Sequence, residues 1–193
     1  NIVSNKDNNL FVNEAIKGTV QLTKIDNDYP DNKLSGAEFT VYASDMMTEI
    51  GVLSEIENGV YSLSGLRYGE YYLKETKAPE HFNIDDNYYY FQILKDGETV
   101  KITNSGAGEG VFINSPKFGS LKIIKTSADN RVEGFSFLVK GTTYTGQDYE
   151  ETFVTDENGI ILIENLRAGE YIVHEIRNDA SAGYVLPDDK TII

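Results

Sequence analysis

The stretch QLTKID, residues 21–26, has the alternation of a β-strand. Together with the preceding Val20, one face carries Val20, Leu22 and Lys24, and the other carries Gln21 and Thr23. A lysine therefore falls in phase with side chains that belong in a core. Lysine is almost never fully buried unless it is paired.

The oddity recurs. KIIKTS (122–127) places Lys125 at the position of Lys24, 101 residues later. LSGAEFTVY (34–42) is answered by VEGFSFLVK (132–140), and SEIENGVYSL (54–63) by TDENGIILI (155–163). GLRYGEYYLKE (65–75) returns as NLRAGEYIVHE (165–175). A repeat near 100 residues is a common domain size, so the chain reads as two copies of one domain. FVNEAIKGT (11–19) also matches FINSPKFGS (112–120), with Asn13 over Asn114. These matches predict a first domain over 18–117 and a second over 118–193 that lacks its own last strand. Segment 1–17 then reads as the last strand of a preceding repeat or as a donor strand, and the chain as a slice through an array.

Composition supports strands. There are 13 Tyr and 9 Phe but no Trp, Val, Ile and Thr are frequent, and only 4 Pro occur. Short period-two runs alternate with turn signals such as DNDYPDN, ENG, YGE, KDGE and DENG. The expectation is all-β: two tandem Ig-like antiparallel β-sandwiches.

The net charge of −14, from 31 acidic and 17 basic residues, argues against nucleic acid and anionic membrane surfaces as partners. No run reaches the apolar length of a transmembrane helix, so no membrane insertion is expected. The absence of cysteine excludes a disulfide, and with two distant histidines, His81 and His174, it leaves little for a zinc site. No metal or cofactor is expected. The clusters DNDYPDN and NIDDN lack EF-hand spacing and read as solvated loops. His81 and His174 read as surface residues, YPDNK (29–33) as a Pro-Asp turn, and Tyr88–Phe91 as a strand with one face in the core.

The chemistry lies in the inward charges. Glu75 is in phase with Tyr71 and Leu73 and should face inward with Lys24, whereas VFIN (111–114) leaves the direction of Asn114 open. One reading is a buried ion pair, or a lysine that snorkels to water. The other starts from desolvation, which favours the neutral amine and the protonated acid. A neutral amine can attack a nearby carboxamide and expel ammonia, with the acid shuttling protons.

These motifs resemble the collagen-adhesin B-type (CnaB, SpaA-like, prealbumin-like) domains of Gram-positive surface adhesins and pilins. The resemblance rests on KID and KTS, LSGAEFTVY and VEGFSFLVK, the ENG turns, LRYGEYYLKETKAP and FINSP. It implies a prealbumin-like sandwich holding a spontaneous isopeptide bond between Lys24 and Asn114, with Glu75 as catalyst. The second copy keeps Lys125 and Glu175 without an asparagine of its own, and Asn178 lies too close to Glu175 to stand in. Segment 5–17 of another copy, carrying Asn13, is a candidate to fill that gap in trans. The resemblance further implies an extracellular, cell-wall-anchored stalk whose partners are neighbouring repeats, and no enzyme beyond the single self-directed turnover. A module binding a host matrix ligand, or an accessory β-sandwich of a secreted enzyme, is the alternative.

Overall fold

The computed structural model describes residues 13–106 and 108–193, which form strands and loops without a helix. The chain divides into two compact units, 1–115 and 116–193.

In the first unit, strands β1 (Lys17–Asp26), β4 (Ser54–Glu57), β5 (Val60–Arg67), β8 (Thr99–Lys101) and β9 (Val111–Asn114) make one sheet. Strands β2 (Glu38–Ala43), β3 (Glu49–Val52), β6 (Gly69–Lys77) and β7 (Tyr88–Ile93) make the other, in the order β3-β2-β6-β7. The inner faces share one core. It joins Val20, Leu22, Tyr61 and Phe112 of the first sheet to Phe39, Val41, Leu73, Phe91 and Ile93 of the second. Phe39 bridges the sheets, meeting Tyr61 and Phe112 edge-on at 5.2 and 5.1 Å.

One pairing departs from the antiparallel expectation. β1 is antiparallel to β5 on one side but parallel to β8 and β9 on the other. The chain crosses from β7 to the first sheet, and both β8 and β9 run in the direction of β1. They occupy successive stretches of its free edge, Thr19–Gln21 with Thr99–Lys101 and Thr23–Asp26 with Val111–Asn114. The first and last strands are thus neighbours.

The second unit repeats this plan with fewer strands. β11 (Ser136–Thr143), β12 (Asp148–Val154), β14 (Gly169–Ile176) and β15 (Lys190–Ile192) form a sheet in the order β12-β11-β14-β15. Among the described residues the facing sheet has only β10 (Phe118–Ile124) and β13 (Ile160–Arg167). β10 is the counterpart of β1, and among the described residues it pairs only with β13.

Small details recur with the sequence repeat. The hydroxyl of Tyr71 donates to the Arg67 carbonyl at 2.8 Å, and that of Tyr171 to the Arg167 carbonyl at 2.7 Å. The LRYGEY and LRAGEY motifs are therefore the same corner between β5 and β6 and between β13 and β14.

Candidate functional site

Lys24 lies near the end of β1, where the backbone is fixed by the ENG turn. Its N–H donates to the Gly59 carbonyl at 2.7 Å, and its carbonyl accepts from Leu34 N–H at 2.9 Å. Gly59 has φ +67°, and a Cβ there would stand 2.8 Å from Lys33 Cβ and 3.0 Å from the Lys24 oxygen. The second copy repeats the device. Lys125 N–H donates to Gly159 O at 2.8 Å, and a Cβ on Gly159 (φ +76°) would meet the Lys125 oxygen at 2.9 Å.

The phase of β1 holds as far as Lys24: Val20, Leu22 and Lys24 are all buried, and beyond them Ile25 and Asp26 are buried as well. Lys24 and Glu75 are 0 % exposed and Asn114 is 2 % exposed, so all three have left water. In β9 the buried positions are Phe112 and Asn114, which settles the direction of Asn114 as inward. Phe112 pairs with Lys24 in the ladder, and its ring centroid lies 4.6 Å from Lys24 Nζ.

The three polar side chains meet. Lys24 Nζ donates to Asn114 Oδ1 and lies 3.5 Å from Glu75 Oε1. Asn114 Nδ2 donates to Glu75 Oε1 and Oε2 at 2.9 and 3.0 Å, and Asp85 N–H donates to Oε2 at 2.8 Å. Burial pushes the Lys24 amine down to about 8, against the opposing pull of the Glu75 charge and a weaker one from Asp85. Burial also raises Glu75 above the usual carboxylate range, partly countered by the Lys24 charge, Asp85 N–H and the Asn114 amide. An amine whose proton burial has loosened, set against a carboxamide with a proton carrier touching both, is the arrangement an acyl transfer needs.

The second copy holds half of this site. Lys125 Nζ reaches Glu175 Oε1 and Oε2 at 3.0 and 2.8 Å, and lies 4.5 Å from the Phe135 ring centroid. The Lys125 side chain is 11 % exposed where Glu175 is 1 % exposed. It borders a groove of about 770 Å³ along the free edge of β10, lined also by Phe137, Glu175, Tyr184 and Lys190. Asn178 is engaged elsewhere, donating to Gly134 O and Ser136 Oγ at 2.7 Å each. Most of segment 5–17 lies outside the described residues. Within it Asn13 is exposed, and Ile16 packs on the first core and accepts from Tyr68 N–H at 3.1 Å.

One expectation needs correction, and the reading of the two histidines as surface residues gains detail. The acidic clusters are not wholly solvated loops: Asp26 is fully buried, and Asp85 is half-buried among hydrogen-bond donors. His174 has a partner, the Asp189 carboxylate, which its sequence neighbourhood could not reveal. His81 is only half-exposed and lies 3.7 Å from Glu80. Tyr88–Phe91 behaves as expected, with Phe91 buried, Tyr89 packed on the core, and Tyr88 and Tyr90 exposed.

The model of the SpaA prealbumin-like fold domain matches residues 18–106 and 119–193. The chain belongs to this family. Among solved structures, the Bacillus anthracis TIE protein is similar over 92 % of this chain, with a TM-score of 0.71 and 27 % identity. This chain spans 31 % of that one. A C-terminal fragment of the pilus adhesin SpaC from Lactobacillus rhamnosus GG shares the fold over 90 % of this chain and 81 % of its own, with a TM-score of 0.53 and 16 % identity. No curated protein matches. Both prealbumin-like domains of this chain fall in the segments where the sequence repeats.

Proposed function

We propose that this chain is a structural stalk module of a Gram-positive cell-surface adhesin or pilus, locked by a bond it makes itself between Lys24 and Asn114. The observation that carries this reading is the burial of Lys24, Glu75 and Asn114 in mutual contact on three strands from two sheets.

The neutral Lys24 amine attacks Asn114 Cγ. Glu75 accepts a proton from the attacking nitrogen and delivers one to Asn114 Nδ2, which leaves as ammonia. An amide bond replaces a carboxamide, one ammonia is lost, and Glu75 ends as it began. Fixed proximity in a closed core supplies roughly 7–11 kcal/mol toward such a barrier. The bond joins neighbouring first and last strands, so tension on the domain passes through a covalent link. It serves where a cysteine-free chain has no disulfide. Nothing else is turned over, so the module is not an enzyme acting on substrates. Its place is outside the cell, on the wall, among neighbouring repeats.

The test is intact mass with peptide mapping. A mass lower by one ammonia and a branched Lys24–Asn114 peptide are expected, and a chain of unmodified mass overturns the proposal.

A second reading concerns Lys125, favoured by the open groove along β10. A strand from segment 5–17 of another copy fills it and presents Asn13 to Lys125, linking chains head to tail.

A further inference from the structure

Glu75 and Asn114 lie on different sheets, and one loop residue, Asp85, bonds Glu75 directly and reaches the strand of Asn114 through Asn104. The backbone N–H of Asp85 donates to Glu75 Oε2 at 2.8 Å. The side chain of Asp85 takes other partners. Its Oδ2 accepts from Tyr89 Oη at 2.5 Å and from Asn104 Nδ2 at 2.8 Å. Its Oδ1 accepts from Asn87, at 3.1 Å from the backbone and 2.7 Å from the side chain. Burial opposes the Asp85 charge, but these hydrogen bonds outweigh it and hold the carboxyl below its ordinary range.

Asn104 then grips the strand beside Asn114. Its Nδ2 donates to Ile113 O at 2.9 Å, and its Oδ1 accepts from Ile113 N–H at 2.8 Å. A side-chain amide thus pairs with Ile113 as a neighbouring strand would, on the edge of β9 turned away from β1. Tyr89 places its ring edge-on to Phe112 at 5.2 Å. Asn83 N–H donates to Ser115 O at 2.9 Å. Phe112, Ile113 and Ser115, on either side of Asn114, are therefore held from the 83–104 region.

We propose that Asp85 and Asn104 form a clamp that sets the position of β9, so that the Asn114 amide lies between Lys24 and Glu75. They are positioning residues, since neither touches the bond that forms. The inference rests on the cross-link proposed above. Its physical reason is that β9 is only four residues long and lies at a sheet edge, so its ladder with β1 alone is a weak constraint. An error of about 1 Å in placing a reacting group can cost on the order of a hundredfold in rate. The second copy has the lysine and glutamate without this clamp. Val185 and Leu186 follow Glu175 where Asp85 follows Glu75, and Lys190 stands in the register position of Tyr89.

The test uses Asn104→Ala in two backgrounds. With Lys24→Ala no bond can form, and hydrogen exchange of the Phe112–Ser115 amides reads the clamp alone. Exchange faster by about tenfold or more on adding Asn104→Ala is expected, and unchanged exchange overturns the clamp. With Lys24 intact, unlinked protein recovered from denaturant is refolded and its loss of ammonia followed by mass. Slowing by roughly ten- to a hundredfold in a chain with unchanged circular dichroism is expected. An unaltered rate overturns the positioning role. A parent chain that never loses ammonia refutes the cross-link, and the exchange experiment still decides the clamp. If Asn104→Ala does not refold, the isosteric Asn104→Asp gives the same readouts. It keeps the acceptor for Ile113 N–H but sets a carboxylate against Ile113 O and Asp85.

Discussion

Asn114 gives its side-chain N–H groups to both carboxylate oxygens of Glu75, at 2.9 and 3.0 Å, across 39 residues of sequence. The nitrogen that leaves in the proposed reaction is thus already seated on the group that would protonate it. Glu75 is therefore the residue whose change should separate chemistry from packing.

Glu75→Gln keeps the size of the side chain and removes the proton carrier. It is expected to abolish the one-ammonia loss, read by intact mass. The cross-link would close a loop across 90 residues, and chain entropy assigns a closure of that length about 4–5 kcal/mol. Thermal unfolding of the variant should fall by on the order of 20 °C.

Bond formation should speed up as pH rises toward the Lys24 value of about 8, because only the neutral amine attacks. Refolding unlinked protein at a series of pH values, with mass readout, gives the profile. A rate independent of pH between 6 and about 8 would contradict the assignment of Lys24 as nucleophile.

The same depressed value makes a stability prediction for Asn114→Ala, which leaves Lys24 and Glu75 unlinked. The folded-state amine titrates near 8 and the unfolded one near 10.5. Between those values the unfolded chain binds more protons, so Lys24's contribution to stability rises with pH. Denaturant titrations from pH 8 to about 10 should show the midpoint moving up from this group.

Gly59→Ala forces a side chain onto a left-handed backbone and against Lys33 and the Lys24 carbonyl. A loss of roughly 1–3 kcal/mol is expected, together with slower cross-linking because the lysine backbone is displaced. Gly36→Ala also has positive φ but meets nothing within 4 Å, so it should leave the ammonia loss intact.

Strand donation to the second unit predicts a ladder of covalent multimers on denaturing gels at high protein concentration. Lys125→Ala and Asn13→Ala should each remove it. A single monomer band in the parent chain at high concentration overturns the covalent form of the proposal.

Much of this was legible from residues alone. Period two in QLTKID and YYLKE put Lys24 and Glu75 on inward faces because alternation is a property of the strand itself. The repeat then showed that neither was an accident. VFIN could not orient Asn114, since apolar residues fall on both phases, and only its pairing with β1 decided that. The acidic loop NIDDN gave no sign that Asp85 would reach Tyr89 and Asn104. Those contacts depend on how the loop returns across the sheet, which no local pattern encodes.

The sequence by itself determined the two-copy, all-β plan and the inward lysine and glutamate, because hydrophobic phase and turn chemistry are local. The tertiary structure alone decided the parallel pairing of β1 with β9, the contact of Asn114 with Glu75, and the grip of Asn104 on Ile113. These join residues tens of positions apart, and their distances exist only once both sheets have closed over one core.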